Sequence, residues 1–288
     1  MNAPDLPAGL LAIADRYDVL LCDVWGVIHN GRESFPAAWA ALRRFAEERG
    51  PVVLISNAPR PSRAVLPQLD GLGVPRSAWS AFVSSGDATR VLLSARAPGP
   101  AWALGPERDW PLYEGLGLDF AGPKEAAFIA CTGPVDDEAE TPEDYRERFV
   151  ACIERGVAMI CANPDIVVQR GERLVYCGGA LAQLYDALGG EVLMAGKPHP
   201  AIYDLALAEA ARLLGRPVDR TRVLCIGDGL PTDVLGAQAQ NLDCLFIADG
   251  IHRAEISDAQ GRLDPALAGG RLAAEGLFSR YLMAELSW

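Results

Sequence analysis

Short apolar runs alternate with amphipathic segments along the first hundred residues of the chain. The apolar runs lie at 18–24, 51–56 and 80–84. Runs of this length are typical of parallel strands that are covered on both faces. Segments with helical periodicity follow them, at 36–49, 63–72 and 87–96. The alternation of strand and helix predicts a parallel sheet with right-handed crossovers, which is an α/β fold.

The alternation becomes irregular from about Pro98 to Glu191, a stretch of Pro- and Gly-rich turns with short apolar strands at 126–131 and 157–162. Regular order returns after Gly196. There the pattern predicts helices at 200–214 and 232–240 and strands at 222–226 and 243–248. We therefore predict a doubly wound, Rossmann-like parallel-sheet core with an inserted α/β cap domain. The predicted core is residues 1–85 and 194–288, and the predicted cap is 86–193.

Composition and charge favour small molecules as partners. Half of the 288 residues are hydrophobic, as in ordinary globular proteins, and the net charge is −12. Residues 86–190 alone hold 17 acidic and 9 basic side chains, so most of the negative charge lies in the predicted insertion. This charge argues against nucleic acid and against an anionic membrane surface as partners.

The amino terminus and the cysteines are consistent with an intracellular protein. The first residues lack a basic segment ahead of an apolar one, and no apolar stretch approaches the roughly 20 residues that span a bilayer. We therefore expect a cytoplasmic protein. The seven cysteines include no CxxC pair and no Cys/His cluster at zinc spacing, which predicts buried free thiols.

Polar residues directly follow several predicted strands, at the edge where open parallel sheets bind ligands. These residues are Asp23, Ser56 with Asn57, and Asp228; Lys197 stands ahead of a predicted helix. A carboxylate at the end of a rigid strand, such as Asp23, is suited to act as a nucleophile, and it is equally suited to cap the loop.

The segment 227–233, Gly-Asp-Gly-Leu-Pro-Thr-Asp, offers two acids around a tight turn. Two such carboxylates can supply oxygen ligands to Mg²⁺. The same segment can instead begin a helix, with Thr232 as the N-cap and Asp233 favoured by the helix dipole. The two interpretations are compatible.

Two further features suit a phosphate group. Ser56 and Asn57 offer a hydroxyl and an amide to a phosphate oxygen, although Ser-Asn is also common in turns. Lys124 and Lys197 are the only lysines among 26 basic residues. A lysine within Gly196-Lys197-Pro198 therefore suggests a need for a compact point charge.

Taken in order, these motifs resemble those of the haloacid dehalogenase-like superfamily. The insertion resembles the class IIA cap of 4-nitrophenylphosphatase and pyridoxal phosphatase relatives, as do the segments 163–165 (Asn-Pro-Asp) and 178–180 (Gly-Gly-Ala). The resemblance implies a Mg²⁺-dependent hydrolase of small phosphomonoesters that forms an aspartyl-phosphate intermediate. Because class IIA relatives often pair through their caps, it also implies a homodimer.

The resemblance implies a role for each motif. Asp23 is the nucleophile, and its carboxylate binds Mg²⁺ together with the Trp25 backbone carbonyl and the Asp228 carboxylate. Asp233 stands beside these ligands without binding the metal. Ser56 and Lys197 are catalytic and, with Asn57, hold the phosphoryl group. In the cap, the residues implied to contact the substrate are Asn163, Asp165 and Gly179.

Position 25 departs from the family pattern. Family phosphatases have a second Asp there, which protonates the leaving oxygen, whereas this chain has Trp25. General acid–base catalysis contributes roughly 10²–10⁴ to the rate. A chain without this acid is open to three functional interpretations. They are a phosphatase that is slow or borrows a proton donor, a phosphate-binding regulatory protein, and a 2-haloacid dehalogenase, whose family also has an aromatic residue here. Two acids suited to Mg²⁺ argue against the dehalogenase.

The histidines at positions 29, 199 and 252 are the remaining candidates for proton transfer. No pair of them has the spacing of a metal site, and we expect each to be a surface or loop residue. His29, six residues beyond Asp23, is the first candidate.

Overall fold

The computed structural model describes residues 3–170, 173–248 and 253–288. The chain divides into two compact units. Unit 1 comprises residues 1–56, 67–83 and 203–288, and unit 2 comprises residues 57–66 and 84–202. The predicted domain limits at 85/86 and 193/194 stay a prediction.

The described residues contain twelve strands and eight α-helices. The strands are β1 Val19–Cys22, β2 Val52–Ser56, β3 Ala81–Ser84, β4 Ala101–Leu104, β5 Phe128–Cys131, β6 Ala158–Cys161, β7 Val167–Arg170, β8 Arg173–Tyr176, β9 Val192–Met194, β10 Val223–Gly227, β11 Asp243–Ile247 and β12 Tyr281–Met283. The helices are α1 Pro36–Glu48, α2 Ser62–Gly71, α3 Ser85–Ser94, α4 Arg146–Glu154, α5 Gly178–Ala187, α6 Pro200–Leu214, α7 Leu235–Ala239 and α8 Pro265–Ala274.

Unit 1 is built on a six-stranded sheet with the strand order β12-β11-β10-β1-β2-β3. β1 pairs in parallel with both β2 and β10, with Cys22 opposite Leu54 on one side and Ile226 on the other. Every residue of β1, β2 and β10 is buried, which explains why these strands are continuously apolar in sequence. The chain moves outward in opposite directions from β1, so the strand order reverses there.

Unit 2 contains a four-stranded parallel sheet, β4-β5-β6-β9, and a separate antiparallel pair, β7-β8. A core cluster gathers aromatic rings from β4, α4 and α5 around Phe149. The Phe149 ring stands edge-on to Tyr185 at 5.1 Å between ring centroids and stacks on Tyr145 at 5.8 Å. These contacts hold α4 and α5 to the sheet.

The α/β prediction is confirmed, with differences in detail. Each of the seven predicted strands and the helices predicted at 36–49, 63–72, 87–96 and 200–214 appears within a few residues of its predicted bounds. The predicted helix at 232–240 instead begins as a π-helical turn, Leu230–Val234, followed by the short α7. The elements β4, β7, β8, β9, β12, α4, α5 and α8 were not predicted.

All seven cysteines are buried thiols outside disulfide bonds, as predicted. In the described part of the chain, no helix combines the length and the apolar character that crossing a membrane requires.

We predict that Phe149→Ala lowers the free energy of unfolding by about 3–5 kcal/mol, because it removes a buried ring and leaves a cavity among other rings. Urea denaturation followed by circular dichroism measures the change. The control is Val150→Ala, the next residue of α4, whose side chain is exposed. Its effect should stay within about 0.5 kcal/mol. Equal effects of the two variants would contradict the core described here.

Candidate active site

The carboxyl edge of the unit 1 sheet carries three of the polar residues that the sequence singled out. Asp23 directly follows β1, Asp228 directly follows β10, and Ser56 ends β2. Because β1 lies between β2 and β10 and all three run in parallel, these side chains leave the sheet at the same edge. This is also the point where strand order reverses, the usual place for a ligand in a doubly wound fold.

Three carboxylates meet at this edge. One oxygen each from Asp23, Asp228 and Asp233 lies within 4.8 Å of the others, and all three side chains are buried. The Asp23 backbone N–H donates to the Ile226 carbonyl at 2.8 Å, which ties the start of the loop after β1 to β10. The predicted acidic residues are therefore brought together by strand pairing.

Two glycines make room for this cluster. A Cβ on Gly26 would lie 2.2 Å from Asp228 Oδ2, and a Cβ on Gly227 would lie 2.1 Å from Asp233 Cγ. Gly26 also has a φ of +85°, which disfavours other residues. Sequence analysis did not single out these glycines, although each stands within three residues of a predicted acid.

Asp233 has a structural role in the turn after β10. Its Oδ2 accepts a hydrogen bond from the Gly229 N–H at 3.1 Å, and its own N–H donates to the Gly229 carbonyl at 2.9 Å. These bonds close the turn that carries Asp228. The expectation that Thr232 caps this helix was wrong, because no side chain caps the turn at Gly229.

The donor set fits a divalent cation that prefers oxygen. Buried carboxylates so close together repel each other, and a cation between them removes that repulsion. Gly26 approaches the Asp228 carboxylate, so the peptide that bears the Trp25 carbonyl also lies beside the cluster. Asp23, Asp228 and the Trp25 carbonyl could therefore all contribute to one Mg²⁺ site, as the sequence predicts.

A second polar network lies within unit 2 and centres on Asn57. Asn57 Oδ1 accepts from the Lys197 N–H at 2.8 Å, while Asn57 Nδ2 donates to the Lys197 carbonyl at 3.1 Å and to Asp165 Oδ1 at 2.8 Å. Both amide hydrogens are thus engaged within the protein. The Asn57 side chain holds the Lys197 backbone, and the Lys197 side chain is buried.

The residues predicted to contact substrate in the cap join this network. Asn163 Oδ1 accepts from the Asp165 N–H at 3.2 Å, and the Gly179 N–H donates to the Asp165 carbonyl at 3.0 Å. A Cβ on Gly179 would lie 2.1 Å from the Pro164 carbonyl oxygen. Glycine is therefore required where α5 begins against this loop.

Trp25 packs on its own loop. Its ring stands edge-on to the His29 ring at 5.1 Å between centroids, and a Cβ on Gly31 would lie 2.5 Å from Trp25 Cη2. The Gly26 N–H donates to the His29 carbonyl at 2.8 Å, which closes the turn below the indole. The side chain is half-buried.

His29 lies in a loop, as expected, but its side chain is buried rather than at the surface. Burial lowers the pKa of His29 to about 4, and its Nδ1 accepts from the Gly31 N–H at 3.0 Å. The imidazole is therefore neutral at pH 7 and cannot supply a proton as an imidazolium. His199 is half-buried, and burial lowers its pKa also. His252 lies outside the described residues.

Comparison with known proteins places this site in a family. A model described as haloacid dehalogenase-like hydrolase matches residues 20–119, and a second, described as HAD-hydrolase-like, matches residues 194–268. The crystal structure of a hydrolase of the haloacid dehalogenase-like family from Brucella suis 1330 is 44% identical, with a TM-score of 0.87 over 98% of this chain and 100% of that chain. The chain belongs to the haloacid dehalogenase-like hydrolase family. The predicted family is thus confirmed.

Two further relatives extend the comparison within the family. The 5'-nucleotidase YutF of Bacillus subtilis (strain 168) is 25% identical over 83% of this chain and 90% of its own length. A 4-nitrophenylphosphatase from Thermotoga maritima, which is 18% identical, has the same fold, with a TM-score of 0.69 over 95% of this chain and 96% of that chain. The similarity thus includes the second unit.

We predict that Gly227→Ala lowers the free energy of unfolding by about 1–3 kcal/mol, because the added Cβ overlaps the Asp233 carboxylate. Thermal and urea denaturation measure the loss. The control is Gly270→Ala in α8, where nothing lies within 4 Å of the added Cβ. That change should be neutral or stabilise the helix by up to about 1 kcal/mol. A stable Gly227→Ala variant would show that the acids are less tightly packed than described.

Proposed function

We propose that this protein is a Mg²⁺-dependent hydrolase of small phosphomonoesters that acts through an aspartyl-phosphate on Asp23. The observation that carries the proposal is the cluster of Asp23, Asp228 and Asp233 at the carboxyl edge of the sheet, within 4.8 Å of one another. Membership of a hydrolase family supports it, and the relative from Bacillus subtilis is named as a nucleotidase, which is a phosphomonoesterase.

Each residue has a stated part in the proposed reaction. An Asp23 carboxylate oxygen attacks the phosphorus, and the bond from phosphorus to the leaving oxygen breaks, so that this oxygen leaves as an anion that water protonates. Water then attacks the aspartyl-phosphate, releasing inorganic phosphate and restoring the carboxylate. Asp23, Asp228 and the Trp25 carbonyl would hold Mg²⁺, which would supply the positive charge that lets a carboxylate approach a phosphate dianion.

We assign the phosphoryl group to Ser56 and Lys197, with Asn57 in a different role from the one predicted. Its amide is engaged with Lys197 and Asp165, so we propose that Asn57 positions the lysine rather than gripping phosphate through its side chain. Ser56 is the last residue of β2, and Asn57 is the next residue in the chain. The homodimer implied by the resemblance stays a prediction.

We predict that the protein hydrolyses 4-nitrophenyl phosphate, that EDTA abolishes this activity and that Mg²⁺ restores it. Asp23→Asn should remove the activity, because an amide is neither a nucleophile nor a good Mg²⁺ ligand. The release of 4-nitrophenolate measures turnover. The leaving group is acidic enough to depart with little protonation, so the substrate suits an enzyme that lacks the usual acid.

The control is Asp186→Asn, which removes the same charge from an exposed position on α5 and should leave turnover unchanged. More than a few per cent of parent activity in Asp23→Asn would rule out the covalent mechanism. Turnover that persists in EDTA, together with chloride release from 2-chloropropionate, would indicate the dehalogenase instead.

Position 25 supports a second candidate, a binding protein that retains the phosphate pocket without efficient turnover. The indole there cannot donate the proton that an alkoxide leaving group needs, and the neutral His29 beside it is no substitute. Binding of inorganic phosphate with Mg²⁺, but no turnover of 4-nitrophenyl phosphate, would favour this candidate.

We predict that Trp25→Asp raises activity on alkyl phosphates, by up to the roughly 10²–10⁴ that a well-placed acid supplies. Activity on 4-nitrophenyl phosphate should change much less. The matched control is Trp25→Asn, which removes the indole equally but carries no transferable proton. Steady-state kinetics on both substrates, with melting temperatures recorded alongside, measure the effect. Equal gains for the two variants would mean that removal of the indole, rather than the new acid, is responsible.

A further inference from the structure

Two pairs of cysteines stand side by side on neighbouring parallel strands. Cys225 of β10 is in register with Cys244 of β11, and Cys131 of β5 is in register with Cys161 of β6. Neighbouring strands lie about 4.8 Å apart, which is within the range of Cα separations that a disulfide bridges. None of the four cysteines forms a disulfide in this structure. The two pairs therefore have the same strand geometry and differ in their surroundings.

The thiols of Cys225 and Cys244 lie on the same face of the unit 1 sheet. Residues in register on parallel strands point to the same side, and both thiols lie close enough to the Tyr203 hydroxyl to influence it. Burial raises the pKa of Tyr203, and Cys225 and Cys244 raise it further. Cys22 of β1 is in register with Ile226, one residue beyond Cys225, so its side chain points to the opposite face. The two thiols therefore leave neighbouring strands in the same direction.

A cavity of about 210 Å³ in unit 1 is lined in part by Cys244. Asn241, just before β11, and Phe278 and Arg280, just before β12, also line it, so the cavity lies at the amino edge of the sheet. The side chains of Phe278 and Arg280 are exposed, so the cavity opens to solvent. A space of this volume holds solutes of a few atoms. It therefore gives small molecules a route to Cys244.

The unit 2 pair is enclosed. Cys131 and Cys161 are both 0% exposed and belong to the hydrophobic core around Phe149, whereas Cys225 and Cys244 are 4% and 3% exposed. A hydrogen bond with Cys161, together with burial, raises the pKa of Cys131. Reaction of a thiol requires access and thiolate character, and burial in apolar surroundings opposes both. The unit 2 pair is therefore an internal control for the unit 1 pair.

The charges that line the cavity favour an uncharged reagent. Arg280 donates to the Asp243 carboxylate at 2.7 Å, and Asp243 also lines the cavity, so this pair adds no net charge. The whole chain carries a net charge of −12, which repels anions. Hydrogen peroxide is uncharged and little larger than water, whereas glutathione disulfide is anionic and far larger. The cavity therefore suits a small peroxide.

We propose that Cys244 and Cys225 form a redox-sensitive site, which a small uncharged peroxide entering the cavity oxidises to a disulfide. The Cys244 sulfur attacks one peroxide oxygen and the O–O bond breaks, which yields a sulfenic acid and one water. The Cys225 sulfur then attacks the Cys244 sulfur, and the S–O bond breaks with release of a second water. The two thiol protons leave in these waters. Each sulfur loses one electron, and the peroxide gains two.

Peptide mapping of the full-length protein tests the proposal. Trypsin cleaves after Lys and Arg, so residues 223–253 form one peptide that holds Cys225 and Cys244 and no other cysteine. Cys131 and Cys161 fall on separate peptides, 125–146 and 156–170. The folded protein is treated with hydrogen peroxide and then denatured, and the remaining thiols are alkylated with iodoacetamide before digestion.

Peptide 223–253 should lose two hydrogen atoms and carry no alkyl label, and dithiothreitol should restore both labels. This change should be at least about tenfold faster than linkage of peptides 125–146 and 156–170, because thiol oxidation follows access. Glutathione disulfide should oxidise peptide 223–253 at least about tenfold more slowly than an equal concentration of peroxide.

Two variants test the order of the steps. Cys225→Ala should stop the reaction at the sulfenic acid of Cys244, which dimedone traps. Cys244→Ala should leave Cys225 as a thiol that iodoacetamide labels. The matched control is Cys161→Ala, which removes a buried thiol from unit 2 and should leave oxidation of peptide 223–253 unchanged. Mapping of the parent protein provides the test if a variant does not fold.

Three results would overturn the proposal. The first is full alkylation of Cys225 and Cys244 at a peroxide concentration that oxidises the protein unfolded in urea. The second is an equal rate for the two cysteine pairs, or for peroxide and glutathione disulfide, since the cavity would then not control access. The third is dimedone labelling of Cys225 in Cys244→Ala at the parent rate of oxidation. These measurements follow thiols alone, so their outcome is independent of the proposed phosphatase function.

Discussion

The repulsion among Asp23, Asp228 and Asp233 is the constraint around which the edge of the unit 1 sheet is built. Two unit charges at this separation repel by roughly 3 kcal/mol at an effective dielectric constant of about 20. The fold opposes this with parallel pairing of β1 and β10, through the bond from the Asp23 N–H to the Ile226 carbonyl. Gly26 and Gly227 have no side chain, and a Cβ at either position would overlap the carboxylate of Asp228 or Asp233, respectively. A divalent cation bound between the carboxylates, as proposed, would offset this repulsion.

In unit 2, the Asn57 side chain joins segments that are distant in sequence. Its side chain pairs with the backbone of Lys197, 140 residues away in sequence, and with Asp165. One amide therefore fixes where the lysine leaves the backbone and where the loop between β6 and β7 begins. Loss of this amide would remove a hydrogen bond from each of two backbone groups of Lys197, an effect that the Ser-Asn pair in the sequence does not indicate.

The sequence predicted those elements whose burial is uniform. β1, β2 and β10 are buried along their whole length, so they appear as continuous apolar runs that end at Asp23, Ser56 and Gly227. Other elements had no such pattern. Only one of the four residues of β8 is buried, α8 contains consecutive glycines, and β12 has three residues. Each of these is held by tertiary contacts rather than by local preference.

The sequence predicted which acidic side chains lie at the carboxyl edge of the unit 1 sheet, but not how the neighbouring side chains are oriented. Acids at strand ends were enough to predict the cluster, since parallel strands bring their carboxyl ends together. The engagement of the Asn57 amide and the burial of His29 depend on partners that the sequence pattern does not reveal. A histidine in a short loop is usually exposed, but this loop folds back so that the buried His29 imidazole accepts from the Gly31 N–H.

In the proposed site, the same loop lets position 25 offer a backbone carbonyl without an acidic side chain. The backbone there is fixed by the bond from the Gly26 N–H to the His29 carbonyl and by the left-handed φ of Gly26, neither of which depends on the side chain of residue 25. The indole lies against His29 and Gly31, which are parts of that loop. In the proposed site, residue 25 would therefore contribute its backbone carbonyl to the metal, while its indole supplies no proton donor. In the proposed reaction, attack by Asp23 is retained, and departure of a poor leaving group becomes the difficult step.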